Sequence, residues 1–363
     1  MVSPWSDPPS TLGGREDPVA GPTIALVSTR VQLAERKFDI TKVPPPPHPV
    51  LKLSGKIICT PKNITNIQAL PKAGKSSVVS AILAATLNGN RQGADTLGFS
   101  AVNVDDWAVL HFDTEQSPYD HDAMARRAIR RGNVDVPPDW FKSYCLTDLD
   151  LYERFQCIVV AMQDAFVAHG GILMVIIDGV ADICRDPNNA EESFDLVGKL
   201  HAAAIKYDCA IITVLHENPG SDSGKMRGHL GSQLERKAET PLRLQKDLSS
   251  GITTMWSDHA RHGRIPKDQG TCFEWSDTLG MHVSCGTAGQ IKASQKHEKY
   301  RDEAEAAFGD AAQLTYTELC DRIIESVPLK ESAAKKRVAT YQAEGITTKN
   351  QDGHYRLNPT PSV

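Results

Sequence analysis

The stretch Ala69-Leu-Pro-Lys-Ala-Gly-Lys-Ser-Ser77 lies between a strand-like apolar run (Ile64 to Leu70) and a helix-forming run (Val78 to Leu87). No other feature constrains the fold as tightly. A loop that enters a helix here points free backbone N–H groups outward, and a helix N-terminus favours an anion. Gly74 lets the backbone come close to phosphate oxygens, Lys75 can bridge β and γ phosphates, and the Ser76 hydroxyl can ligate Mg²⁺. Pro71, Lys72, Ala73, Gly74, Lys75, Ser76 and Ser77 form the expected cradle of a P-loop. The usual pattern G-x-x-x-x-G-K-[ST] begins with glycine and here with Ala69, which suffices where φ stays negative. An ordinary Gly-Lys-Ser loop is the competing reading, and the order of the elements that follow decides between them.

Trp107 to Phe112 is a short apolar run ending in Asp113, Thr114, Glu115, Gln116 and Ser117, and a carboxylate at a strand's carboxyl end faces the ligand crevice. Gly171 to Asp178 is a continuous apolar run ending in an acid, the Walker B pattern of a buried parallel strand that presents Asp178 to Mg²⁺. Ala210 to Leu215 ends in His216, Glu217 and Asn218. Each residue also has a plainer reading: Asp178 as a cap on the next turn, Glu115 as a solvated loop acid, His216 as a satisfied core histidine. Their succession behind a P-loop favours one shared crevice, and with it hydrolysis of a nucleoside triphosphate.

These motifs, with Lys225-Met-Arg227 in a glycine-rich segment, resemble the RecA-like P-loop ATPases, in particular the branch of RepA-type hexameric plasmid helicases and related ATPases of phages and mobile elements. The resemblance covers about residues 40 to 285. It implies an α/β fold with a mostly parallel central sheet, ATP and Mg²⁺ as cofactors, Glu115 as general base and His216 as sensor of the γ phosphate. It further implies that Lys225 and Arg227 reach into a neighbouring subunit's site, where cations neutralise charge on the transferred group. That role needs a homo-oligomer, a hexamer in the family. A solvated basic turn is the alternative for this pair, and a DNA-contacting loop is another for the segment.

A chain of 363 residues with 40% hydrophobic and 23% charged content is long enough for a large core and a smaller second domain. It has no stretch of transmembrane length and no signal-peptide core, so it reads as cytoplasmic with no membrane partner. The net charge of −5 provides no chain-wide basic field, so any DNA contact must be local. Eight dispersed cysteines without C-x-x-C pairs read as reduced and mostly buried.

Four segments follow. Residues 1–38, rich in Pro, Gly, Ser and Asp, read as disordered, and 39–288 as the ATPase core. Within the core, helical stretches at 120–131, 151–169 and 190–206 alternate with strands, and shorter strands after residue 240 suit an antiparallel extension. The basic group Arg261-His-Gly-Arg264 there reads as a solvated face or as a nucleotide or DNA contact. Residues 289–312 suit a linker helix. Residues 313–358 give helix, turn, helix and a hairpin turning at Asp352-Gly353, an order that resembles winged helix-turn-helix domains. That resemblance implies phosphate contacts by Lys335, Lys336, Arg337, Lys349 and Arg356, although such modules also dock proteins.

The expected partners are DNA, single-stranded through the core and double-stranded through the C-terminal module, and further copies of the chain. Three function classes remain: a ring-forming replication or mobile-element helicase or loader, an ATP-switched DNA-binding regulator or recombination accessory protein, and a nucleotide-dependent protein scaffold.

Overall fold

Helix α1 (Pro22–Arg36) forms where the sequence reads as irregular. Proline is tolerated in a first helical turn, where its missing N–H has no partner to lose, and Ala, Leu, Gln, Glu and Arg favour the turns that follow. Val31 and Leu33 on this helix are exposed. The computed structural model describes residues 22–89, 91, 93–217, 226 and 228–359, so the rest of the segment expected to be disordered lies outside the described residues.

A small sheet precedes the P-loop. Strands β1 (Leu51–Leu53) and β2 (Lys56–Cys59) are joined through Ser54 and Gly55, both at positive φ. Strand β3 (Ile64–Ala69) leads into helix α2 (Lys75–Asn88), and β4 (Phe99–Ala101) pairs antiparallel with β1 to give the order β2-β1-β4. β4 lies in the stretch between α2 and Trp107, where the sequence shows no strand pattern.

Strand and helix then alternate: β5 (Ala108–Asp113), α3 (Pro118–Arg131), β6 (Phe141–Cys145), α4 (Leu151–His169), β7 (Ile172–Asp178), α5 (Ala190–Lys206), β8 (Ala210–His216), α6 (Gly228–Lys237) and β9 (Thr240–Lys246). The chain forms two compact units, the first comprising residues up to Leu244 with His259–Arg264. Its main sheet has the order β9-β3-β8-β7-β5-β6, with all pairs parallel. Every residue of β3, β5 and β7 is buried, as expected for parallel strands covered on both faces. Phe112, Val175 and Ile177 join a core with Ile158 of α4, Leu196 of α5 and Leu234 of α6. Asp113 lies opposite Asp178 and Ala69 opposite His216, so the polar strand ends meet at one edge.

The second unit, Gln245–Asp258 with residues from Ile265 onward, holds antiparallel strands β10 (Thr253–Trp256), β11 (Thr271–Ser276) and β12 (Met281–Thr287). Helix α7 (Ala288–Phe308) follows through a capping box between Thr287 and Gln290. Helices α8 (Tyr316–Ser326) and α9 (Glu331–Ala343) and the hairpin β13 (Thr347–Lys349) and β14 (Tyr355–Leu357) complete it. The end of α7 is more than a linker: Ala304, Ala307 and Phe308 are buried with Leu319, Ile323, Val338, Tyr341 and Tyr355. No helix among the described residues is long and apolar enough to cross a membrane. All eight cysteines are free thiols, five of them buried.

Candidate functional site

The loop between β3 and α2 turns on Gly74, whose φ of 91° puts it in the left-handed region, and no side chain caps the helix that begins at Lys75. The N–H groups of an uncapped first turn are available to an anion. Ala69 ends β3 in regular parallel pairing to both neighbouring strands, so its methyl group costs no backbone strain. Pro71 and Lys72 are exposed, Gly74 and Ser76 half-buried, and Ala73, Lys75 and Ser77 buried.

Lys75 is the first of three linked polar side chains. Its Nζ lies 3.0 Å from Nδ1 of His216, and Nε2 of His216 lies 3.2 Å from Oε2 of Glu115. An ammonium can only donate, so Nδ1 accepts and Nε2 carries the proton that is donated to Glu115. Burial lowers the pKa of Lys75, against the pull of Glu115, Asp178 and Glu217. A P-loop lysine, a strand-end histidine and a strand-end glutamate thus form one continuous chain across the crevice.

Asp178 is buried beside them, and no hydrogen bond to its carboxylate is found among the described residues. Burial pushes its pKa up to about 8, helped by Asp113 and Glu115 and opposed by Lys75. A buried carboxylate without donors is the environment a cation relieves, so Asp178 and the half-buried Ser76 hydroxyl fit Mg²⁺. His111, Asp113 and Asp178 also bring three ligand atoms within 4.8 Å of one another. Asp113, however, is already engaged: Oδ1 accepts from the N–H groups of Glu115 (3.0 Å) and Gln116 (2.9 Å), and Oδ2 from Nε2 of Gln116 (2.7 Å). Burial would raise its pKa, but these bonds and the contact with His121 hold it below the usual carboxylate value.

Several site residues were given no individual role by the motifs. Asp113 organises the turn that carries Glu115, and an aspartate two residues before a turn is a readable signal for that. Gly179, with φ 96°, is required because a Cβ there would fall 2.7 Å from Cγ of Glu115. Thr114 donates to the carbonyls of Asp178 (3.1 Å) and Gly179 (2.9 Å), tying the two strand ends together. Glu217 receives Nε of Arg243 at 3.3 Å.

Lys225 and Arg227 lie outside the described residues, whereas Met226 between them bridges Glu217 and receives Nδ2 of Asn66 at 2.9 Å. The basic group at 261–264 is structural at its first two members. Arg261 donates from N to the carbonyl of Glu239 (2.8 Å) and from Nη1 to Oδ1 of Asn63 (2.9 Å), and His262 sits 3.5 Å from the Glu239 carboxylate. Asn63 and Glu239 precede β3 and β9, at the opposite end of these strands from the P-loop.

In the C-terminal module, Arg337 is not presented to solvent as a phosphate ligand. Its Nη1 lies 2.6 Å from Glu303, and its guanidinium stacks 4.3 Å from the centre of the Tyr300 ring. Lys335 pairs with Glu331 at 2.6 Å, Arg356 reaches Gln313 at 3.1 Å, and Lys336 is exposed.

A parallel sheet carrying an uncapped glycine-lysine-serine loop beside a buried strand-end aspartate defines a P-loop ATPase of nucleotide-binding type. The chain belongs to the AAA domain family, whose model AAA_25 matches residues 29–222, more than half of its length. No curated protein matches it significantly.

Proposed function

We propose that the protein is a Mg²⁺-dependent, RecA-like ATPase that assembles into a ring and couples hydrolysis to movement on, or loading onto, DNA. The observation that carries this reading is the Lys75–His216–Glu115 chain beside Asp178, whose carboxylate has no donor among the described residues. ATP enters with its phosphates on the N–H groups of residues 72–77, and Lys75 exchanges His216 for the β and γ oxygens. His216, released from Lys75, reports the γ phosphate to Glu115, which orients the attacking water and accepts its proton. Mg²⁺, held by Ser76 and Asp178, would neutralise charge developing on the phosphates. Lys225 and Arg227 act in a neighbouring subunit's site. The C-terminal module, read as a winged helix, contributes duplex contacts through Lys335, Lys336, Lys349 and Arg356, without Arg337.

The test is steady-state ATP hydrolysis with Mg²⁺, alone and with single- or double-stranded DNA. Stimulation of about tenfold or more by single strands supports the motor. Turnover indifferent to both DNA forms contradicts it and favours a switch or a scaffold.

A further inference from the structure

Behind the Glu115 turn lies a row of polar side chains, Ser143 half-buried and the others buried, that hydrolysis does not use directly. Oδ2 of Asp113 faces Nδ1 of His121 at 3.3 Å, Nε2 of His121 faces Oγ of Ser143 at 3.2 Å, and the same Oγ lies 2.8 Å from Nδ1 of His111. The two imidazoles stack with centroids 5.6 Å apart and planes within 3°. The row thus joins β5, α3 and β6, and it ends on the aspartate that holds the N–H groups of Glu115 and Gln116.

The bonding pattern accommodates one directed set of protons. Asp113 accepts two backbone N–H groups and is a carboxylate, so His121 must donate through Nδ1. Nε2 of His121 can then accept from the Ser143 hydroxyl, whose oxygen can accept in turn from Nδ1–H of His111. In that arrangement Nε2 of His111 is a bare acceptor at the end of the row, and it is a buried atom with no hydrogen-bond partner among the described residues. Burial accordingly pulls the pKa of His111 down to about 4, which keeps it neutral. All three hydrogens point toward Asp113, and bonds aligned in one direction polarise one another.

We infer that His121, backed by Ser143 and His111, is a positioning residue that fixes the Asp113 carboxylate and through it the Glu115 turn. The catalytic side of this inference rests on the reading of Glu115 as general base; the positioning side does not. Without His121, Oδ2 of Asp113 keeps Nε2 of Gln116, a side chain of the same turn, so the carboxylate loses its anchor outside that turn and the two N–H groups it holds lose their alignment. Glu115 then samples orientations away from the crevice while the P-loop is untouched. The expected signature is therefore a fall in turnover without a fall in nucleotide affinity.

Hydrogen exchange on the full-length protein tests this, read from peptides covering residues 113–117 in wild type, His121→Leu and His121→Asn. An asparagine amide nitrogen can take the place of Nδ1 and still donate to Asp113. Exchange at Glu115 and Gln116 should quicken about tenfold in His121→Leu and return close to wild type in His121→Asn, with other segments unchanged. In parallel, kcat for ATP should fall about tenfold in His121→Leu while nucleotide Kd stays within about twofold. Unchanged exchange in His121→Leu, or equally fast exchange in both variants, overturns the inference. Should His121→Leu fail to fold, Ser143→Ala decides, and unchanged exchange there overturns it. Full hydrolysis by Glu115→Gln would remove the base assignment and leave the exchange result to judge the positioning role by itself.

Discussion

The two ends of the parallel sheet bury the same kinds of residue under opposite conditions. Where the strands begin, Glu239 is fully buried and satisfied: it accepts from Thr60 N (2.5 Å) and Thr60 Oγ1 (2.7 Å) and faces His262. Where the strands end, Asp178 is almost as buried, beside Lys75 and Glu115, with no donor to its carboxylate among the described residues. A saturated buried charge holds a structure together, whereas an unsaturated one costs stability that a ligand can return. On this comparison the functional end of the sheet is identified by what its charges lack as well as by its motifs.

The comparison can be broken by substitutions at either end. The largest effect is expected for Lys75→Ala, which removes the cation proposed to bind the phosphates and should weaken ATP binding by about a hundredfold or more, with the thermal midpoint kept or raised. Equilibrium nucleotide titration and thermal unfolding on the same sample read both. Glu239→Ala should act in reverse, leaving the Thr60 N–H and hydroxyl unpaired and costing roughly 2–4 kcal/mol of stability while nucleotide affinity in the folded fraction is unchanged. A stable Glu239→Ala protein with lost affinity would erase the distinction between the ends.

A smaller effect sharpens it. Asp178 has a folded pKa of about 8 against an ordinary value of 3.8. The folded state therefore binds a proton that the unfolded state has lost between those values, so this group's contribution is fully present below pH 4 and falls as pH rises to about 8. Asp178→Asn should flatten that decline, with a stability gain of up to a few kcal/mol at pH 8. Affinity for Mg²⁺-nucleotide should strengthen over the same window if Asp178 holds the cation as proposed, because that role needs the carboxylate ionised. Thermal unfolding and nucleotide titration across pH check the pair, and a variant with the wild-type pH slope would contradict it.

Much of this was legible in the sequence, for identifiable reasons. β3, β5, β7 and β8 are apolar runs with polar ends, and that pattern alone brings Lys75, Glu115, Asp178 and His216 to one edge. Helices α4, α5 and α9 carry clear helical runs between turn residues, so their bounds agree with the pattern. β1, β2, β4 and β6 were not read individually because they are short and mixed in polarity, as in Phe141-Lys-Ser-Tyr-Cys145. The buried end of α7 had a signal: Ala304, Ala307 and Phe308 sit at i, i+3 and i+4 in a charged background. The Thr60–Glu239 contact, 179 residues apart, and the row behind Asp113 depend on tertiary placement that no local pattern encodes.

The proposed chemistry turns on the strand-end glutamate beside His216 activating the attacking water. Single-turnover hydrolysis of radiolabelled ATP by wild type and Glu115→Gln, with nucleotide binding measured on the same samples, tests it most directly. A general-base role for Glu115 requires binding within about twofold of wild type and hydrolysis slowed by about a hundredfold or more. Hydrolysis by Glu115→Gln at the wild-type rate, with binding intact, would contradict it.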